Sequence, residues 1–196
     1  MIEVVLVASS KKKELLQVDN DGWIYVLLLT TLVILIQSLR NYKILILSHN
    51  ISYGMFLIPV VFFLVNYIAK KYDYRKAIVA ICVSSVISVG FVAMIYFALG
   101  RHLIISSIIG DFFAYSISQF VNLFIYEFII NNTSSSYILV LLTYLFSVII
   151  YIMIYTLVYL NSLIMDGYWG TYTITLFIEL LICLPLAYLD TKIKKD

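Results

Sequence analysis

Between positions 111 and 126, Asp111, Tyr115, Ser118, Gln119, Asn122 and Tyr126 recur at intervals of three and four inside an otherwise apolar run. That interval places them on one face of a helix, as a stripe about 22 Å long at 1.5 Å per residue. Hydroxyls and amides both donate and accept hydrogen bonds, but without a nearby base they are poor nucleophiles, so the chemistry this stripe suits is recognition. Such groups either bridge neighbouring helices, at about 0.6 kcal/mol each, or line a cavity. A run of six down one face favours the lined cavity. Glu127 lies beside the stripe near its end, where an acid can snorkel to water.

Two further polar side chains sit in apolar surroundings. In the run ending at Lys71, Pro59, Phe63, Asn66 and Lys70 share a face by the same spacing, with Asn66 about one turn from the basic border. Asn66 and Asn122 both fall toward the same end of their runs, so the two amides are expected to meet across a bundle. Glu179 lies about nine residues into the last apolar run, near its middle. It reads either as a proton-coupling or ligand-binding acid, or as a neutral acid hydrogen-bonded to a neighbouring helix. Pro185, further along the same run, marks an expected kink. Tyr144, Tyr151, Tyr155 and Tyr159 are too regular and too deep for an interfacial belt alone; they either wall a site for a flat ligand or bond to neighbouring backbone.

The elements that must position these groups follow from composition. The chain is 63% hydrophobic and 12% charged, far from the roughly 45–50% and about 25% of a soluble domain. It reads as an all-α integral membrane protein. Six segments are apolar over the roughly 20 residues a helix needs to cross about 30 Å of hydrocarbon: 23–39, 51–69, 77–99, 108–130, 137–160 and 170–189. The first is the least regular, because ILIL (44–47) extends the apolar pattern past Arg40 and Lys43, as a re-entrant or interfacial turn would. Residues 1–22 read as a cytosolic leader and 190–196 as a basic cytosolic tail, around one transmembrane domain over 23–189. With the N-terminus inside, the cytoplasmic set is Lys11, Lys12, Lys13, Lys70, Lys71, Arg75, Lys76, Lys192, Lys194 and Lys195, against Arg40, Lys43 and Arg101 outside. Positively charged loops stay cytoplasmic, so both termini are expected there. NNTSSS (131–136) is then an inner turn and NSLIMDGYWG (161–170) an outer loop.

Enzymatic chemistry finds little support. No Gly-rich phosphate loop occurs, so the chain is not expected to hydrolyse ATP. His49 and His102 are far from any second ligand at metal spacing, and Cys82 and Cys183 sit singly in apolar runs as packing residues. An aspartyl mechanism through Asp111 and Glu179 is disfavoured. No cofactor, metal or nucleic-acid partner is expected; the partners are the lipid bilayer and a small solute. Homo-oligomerisation and energising subunits stay open.

The stretch IPVVFFLVNYIAKKYDYRKA (58–77) resembles the signature of the vitamin uptake transporter family, the queuosine precursor transporters, through Pro59, Asn66, Lys70, Tyr72, Asp73 and Ala77. AYSISQFVNLFIY (114–126) is similar to a second family pattern through Ala114, Tyr115, Gln119 and Asn122. Tyr151 stands where the family usually carries an acid, Tyr155 lies near its Phe, and Pro185 with Tyr188 resembles its closing motif before a basic tail. The chain departs from the family in carrying Asn at 66 and 122 and Tyr at 151 in place of acids, and Asp73 in place of Gly. The resemblance implies a six-helix importer of 7-deazaguanine compounds in a bacterial inner or plasma membrane. Its substrate site would use Asn66, Tyr115, Gln119, Asn122, Tyr151 and Glu179. Two other readings fit the same length: a vitamin-binding subunit of an ATPase-energised importer, and a non-transporting membrane accessory protein.

Overall fold

A computed structural model describes residues 20–39, 42–98, 105–132, 136–159 and 169–193. Most of the expected leader, the end of the basic tail, Arg40, Arg101, the core of the 131–136 turn and most of the 161–170 loop lie outside these. So do the side chains of Asp111 and Tyr159.

The described residues form six helices and one hairpin: α1 (Asn20–Leu39), β1 (Lys43–Ile46), β2 (His49–Ser52), a 3-10 turn (Tyr53–Leu57), α2 (Ile58–Lys71), α3 (Tyr74–Ala98), α4 (Ile105–Asn132), α5 (Tyr137–Tyr159) and α6 (Trp169–Lys192). Five stretches are long and apolar enough to cross a membrane: Tyr53–Lys71, Tyr74–Ile95, Phe112–Asn131, Tyr137–Leu157 and Gly170–Lys192. The apolar part of α1, Trp23–Leu39, is shorter.

α2 is the hub, touching each of the other five helices. Of its span 61% is buried, against 22% to 50% in the other four. Pro59 opens it at a position where a missing N–H costs nothing. Lys70 and Lys71 close it, where cations complement the helix dipole. Only Val60, Phe63, Tyr67 and Lys71 are half-buried, on one stripe; the remaining α2 positions are buried. Phe63 therefore sits on the outer margin of α2, off the face of Asn66.

α4 has an inside-out distribution of side chains. Phe113, Ile117, Phe120, Phe124 and Phe128 are exposed, while Tyr115, Ser118, Gln119, Asn122 and Tyr126 are buried. In water this arrangement would place apolar area in solvent and polar groups in the core; in hydrocarbon it satisfies both. Small side chains let α3 and α4 approach: Ser116 donates to Ser85 at 3.1 Å, and Ser84 shares a hydrogen bond of 2.9 Å with the Tyr115 hydroxyl.

The ILIL stretch becomes one strand of a hairpin, where the sequence pattern suggested only a turn. Ile46 pairs with His49, which leaves Leu47 and Ser48 as a two-residue loop with φ of 48° and 68°. Both lie in the left-handed region that Asn-Gly loops occupy without strain. The variant Leu47→Asn with Ser48→Gly should therefore be more stable by about 1–2 kcal/mol, read as a higher thermal midpoint in detergent; an unchanged or lower midpoint would count against this loop geometry. The hairpin packs on the bundle through a bond of 3.0 Å between His49 Nδ1 and the Thr171 hydroxyl. Beyond it, Gly54 brings the chain against α1 so closely that a Cβ would lie 2.5 Å from the Ile36 carbonyl oxygen.

Candidate functional site

The amides of α2 and α4 meet. Asn122 Nδ2 donates to Asn66 Oδ1 at 2.7 Å, and the Ser147 hydroxyl of α5 reaches Asn122 Oδ1 at 3.4 Å. Three helices are thus joined by polar groups that are all fully buried. Gln119 lies one turn further along α4, also buried. Asn66 Nδ2 has no partner at hydrogen-bond geometry, although the Tyr144 hydroxyl stands close by. Gln119 Oε1 and both Glu179 oxygens likewise have no partner among the described residues.

Among the described residues Glu179 has no hydrogen bond to a neighbouring helix, so the bridging reading of this acid finds no partner there. It occupies the buried face of α6, where Thr175, Glu179, Cys183, Ala187 and Asp190 recur at intervals of three and four. Leaving two carboxyl oxygens bare in an apolar interior is costly, of order 1–3 kcal/mol per unsatisfied group.

The other expected site residues are placed differently. The Tyr115 hydroxyl is bonded to Ser84 at 2.9 Å, which turns it toward α3. Tyr151 stacks on Tyr155 with ring centroids 6.1 Å apart and planes 15° from parallel. Those two rings line a cavity of about 30 Å³ together with Ile36, Gln37, Ser52, Gly54 and Met55. The stripe was expected to line a cavity, but its Ser118, Gln119 and Asn122 are 0–1% exposed, as are Asn66 and Glu179 on other helices. Side chains so covered leave no room for a water molecule beside them, so the polar column is closed in this conformation.

One cluster centres on a residue, Asp190, that no sequence expectation placed at the site. Asp190, placed by the sequence reading at the head of a cytosolic tail, belongs to the last turn of α6 and is fully buried. The Tyr126 hydroxyl of α4 donates to its Oδ1, and the Tyr144 hydroxyl of α5 donates to its Oδ2 at 2.5 Å. Lys70 of α2 stands 3.5 Å from Oδ1 and donates to the Asp190 carbonyl at 2.7 Å, capping a helix end whose last carbonyls lack intrahelical partners. Lys70, read from sequence as a topology charge, is only 7% exposed. The available signals were its phase four residues from Asn66 and the periodic α6 face ending on Asp190. On the same end of the bundle Lys71 lies over the rings of Tyr25, Tyr67 and Tyr72 at 5.5 to 5.9 Å, an aromatic and basic belt of the kind found at membrane interfaces. Tyr188, by contrast, points outward, with Lys192 over its ring at 5.3 Å.

Among the described residues no cluster of His, Cys, Asp and Glu could hold a metal ion. The apolar exteriors and polar interior of these helices define a multi-pass α-helical membrane protein. No family model, curated protein or solved structure matches the chain.

Proposed function

We propose that this chain is a transporter that imports a small planar solute of the 7-deazaguanine type, a queuosine precursor, with α1 as a sixth crossing and both termini cytoplasmic. The observation that carries this reading lies among the buried polar atoms without a hydrogen-bond partner in the described residues, which include one amide donor, Asn66 Nδ2 beside the Tyr144 hydroxyl, and three acceptors, Gln119 Oε1 and the two Glu179 oxygens. A guanine-like edge offers the complement, a carbonyl acceptor beside adjacent N–H donors. A carboxyl group accepts from such adjacent donors in bidentate fashion, while an amide donates to the carbonyl. The stacked Tyr151 and Tyr155 rings supply a flat surface toward the opposite end of the bundle from Lys70.

The column is closed here, so binding requires the helices to part, as alternating access demands. With no phosphate-binding loop in the sequence, the motion would draw on an ion or solute gradient rather than on ATP hydrolysis by the chain itself.

Uptake of labelled precursor by cells expressing the wild type, the Asn66→Ala/Asn122→Ala variant or an empty vector tests the reading. The wild type should exceed the vector, and the double variant should fall at least about tenfold toward it, a loss of about 1.4 kcal/mol or more in binding. Equal uptake in all three would overturn it.

A further inference from the structure

We propose that Lys70, Tyr126, Tyr144 and Asp190 form the gate that closes the polar column toward the basic end of the bundle. The proposal rests on the transport reading, because a gate has meaning only if the column opens. Four helices contribute one side chain each: Lys70 from α2, Tyr126 from α4, Tyr144 from α5 and Asp190 from α6. Three of them converge on the fourth, since both carboxylate oxygens and the backbone carbonyl of Asp190 accept from Lys70, Tyr126 and Tyr144.

Its position along the bundle fits a closure. Measured along each helix axis, Lys70 lies four residues, about 6 Å, beyond Asn66 toward the basic end, and Tyr126 lies the same distance beyond Asn122. Asp190 lies eleven residues, about 16 Å, beyond Glu179. Every polar group of the column therefore sits on one side of the cluster, and Lys71, Arg75, Lys76 and Lys192 sit at or past the other. A solute leaving the column at this end must pass between the four helices that Asp190 holds together.

The chemistry also suits a closure that opens. An apolar plug would hold more firmly, because a buried ion pair is often no more stable than hydrophobic residues of similar volume. A polar cluster can instead exchange its internal bonds for water when the helices part, and re-form them on closing.

A native reporter lies behind the gate. Cys183 is fully buried on the α6 face, between Glu179 and Asp190 and two turns from the latter. Labelling it with a membrane-impermeant thiol reagent in a Cys82→Ser background, in sealed membrane vesicles of both orientations, tests the proposal without any substrate. Lys192→Cys in the same vesicles reports which side the basic end faces. Two gate variants are used: Tyr126→Phe/Tyr144→Phe, which keeps the Lys70–Asp190 pair, and Asp190→Asn. Each should raise the Cys183 labelling rate about tenfold or more, the scale of a single lost charge-assisted hydrogen bond, and only from the side that labels Lys192→Cys. Labelling unchanged from wild type would overturn the proposal, as would equal labelling from both sides, the sign of a loosened fold. The result does not depend on the identity of the solute, so a failed uptake assay with successful one-sided labelling would refute the solute and retain the gate.

Discussion

Replacing Asp190 by Ala should lower stability by about 3–5 kcal/mol, the cost of breaking a buried pair and leaving its partner charged and unpaired. Lys70 is 7% exposed and its ammonium has the Asp190 side chain as its counter-ion, at 3.5 Å. The same substitution strips the Tyr126 and Tyr144 hydroxyls of their acceptor. The diagnostic comparison is Lys70→Met with Asp190→Leu, which removes both charges and fills the space with apolar side chains. That double variant should recover more than half of the loss, because the penalty arises from the orphaned charge more than from the missing attraction. Thermal unfolding of the three proteins in one detergent measures it. A double variant as unstable as the single one would show that the cluster holds the bundle by a route other than charge pairing.

Glu179→Leu should move stability and function in opposite directions. The side chain is fully buried and neither carboxyl oxygen has a partner among the described residues, so an apolar residue of similar volume relieves a desolvation cost without opening a cavity. A gain of about 1–3 kcal/mol is expected on that basis. Precursor uptake should fall to the vector level, and the rise in thermal midpoint that a bound solute gives should vanish. A stability loss in Glu179→Leu would mean that the carboxyl group holds the fold, and the case for a residue kept for binding would fail. Buried polar groups without partners are the places where local consistency gives way, and such places tend to be functional.

The long helices were legible because their signal is composition over many residues. Residues 137–157 and 170–192 are apolar enough that packing details do not alter the assignment. The meeting of Asn66 and Asn122 was legible too, since depth and helical phase follow from counting residues. The hairpin was not. Strands of four residues each, KILI and HNIS, are too short for their alternation to stand out from an adjacent apolar run, and their loop lacks the Asn-Gly chemistry that marks such turns. Asp190 was hidden for another reason. Beside Lys192, Lys194 and Lys195 it reads as part of a solvated tail, and only the packing of α6 against α2 and α5, with the Tyr126 hydroxyl of α4 meeting it, turns it inward. Tyr115 shows a related limit: phase placed it on the polar stripe, but Ser84 on α3, and not the amides, takes its hydroxyl.

The Lys70–Asp190 pair also has a history within each molecule. The partners are 120 positions apart, and a ribosome adds about 5–20 residues per second. Lys70 therefore enters the membrane on α2 and waits about 6–24 s at that rate before its counter-ion is synthesised. During that interval the central helix holds an unmatched ammonium, which favours a position near the lipid headgroups. Final seating of α2 is thus tied to arrival of the last helix, and a chain that stops short of Asp190 carries an exposed mark of its own incompleteness.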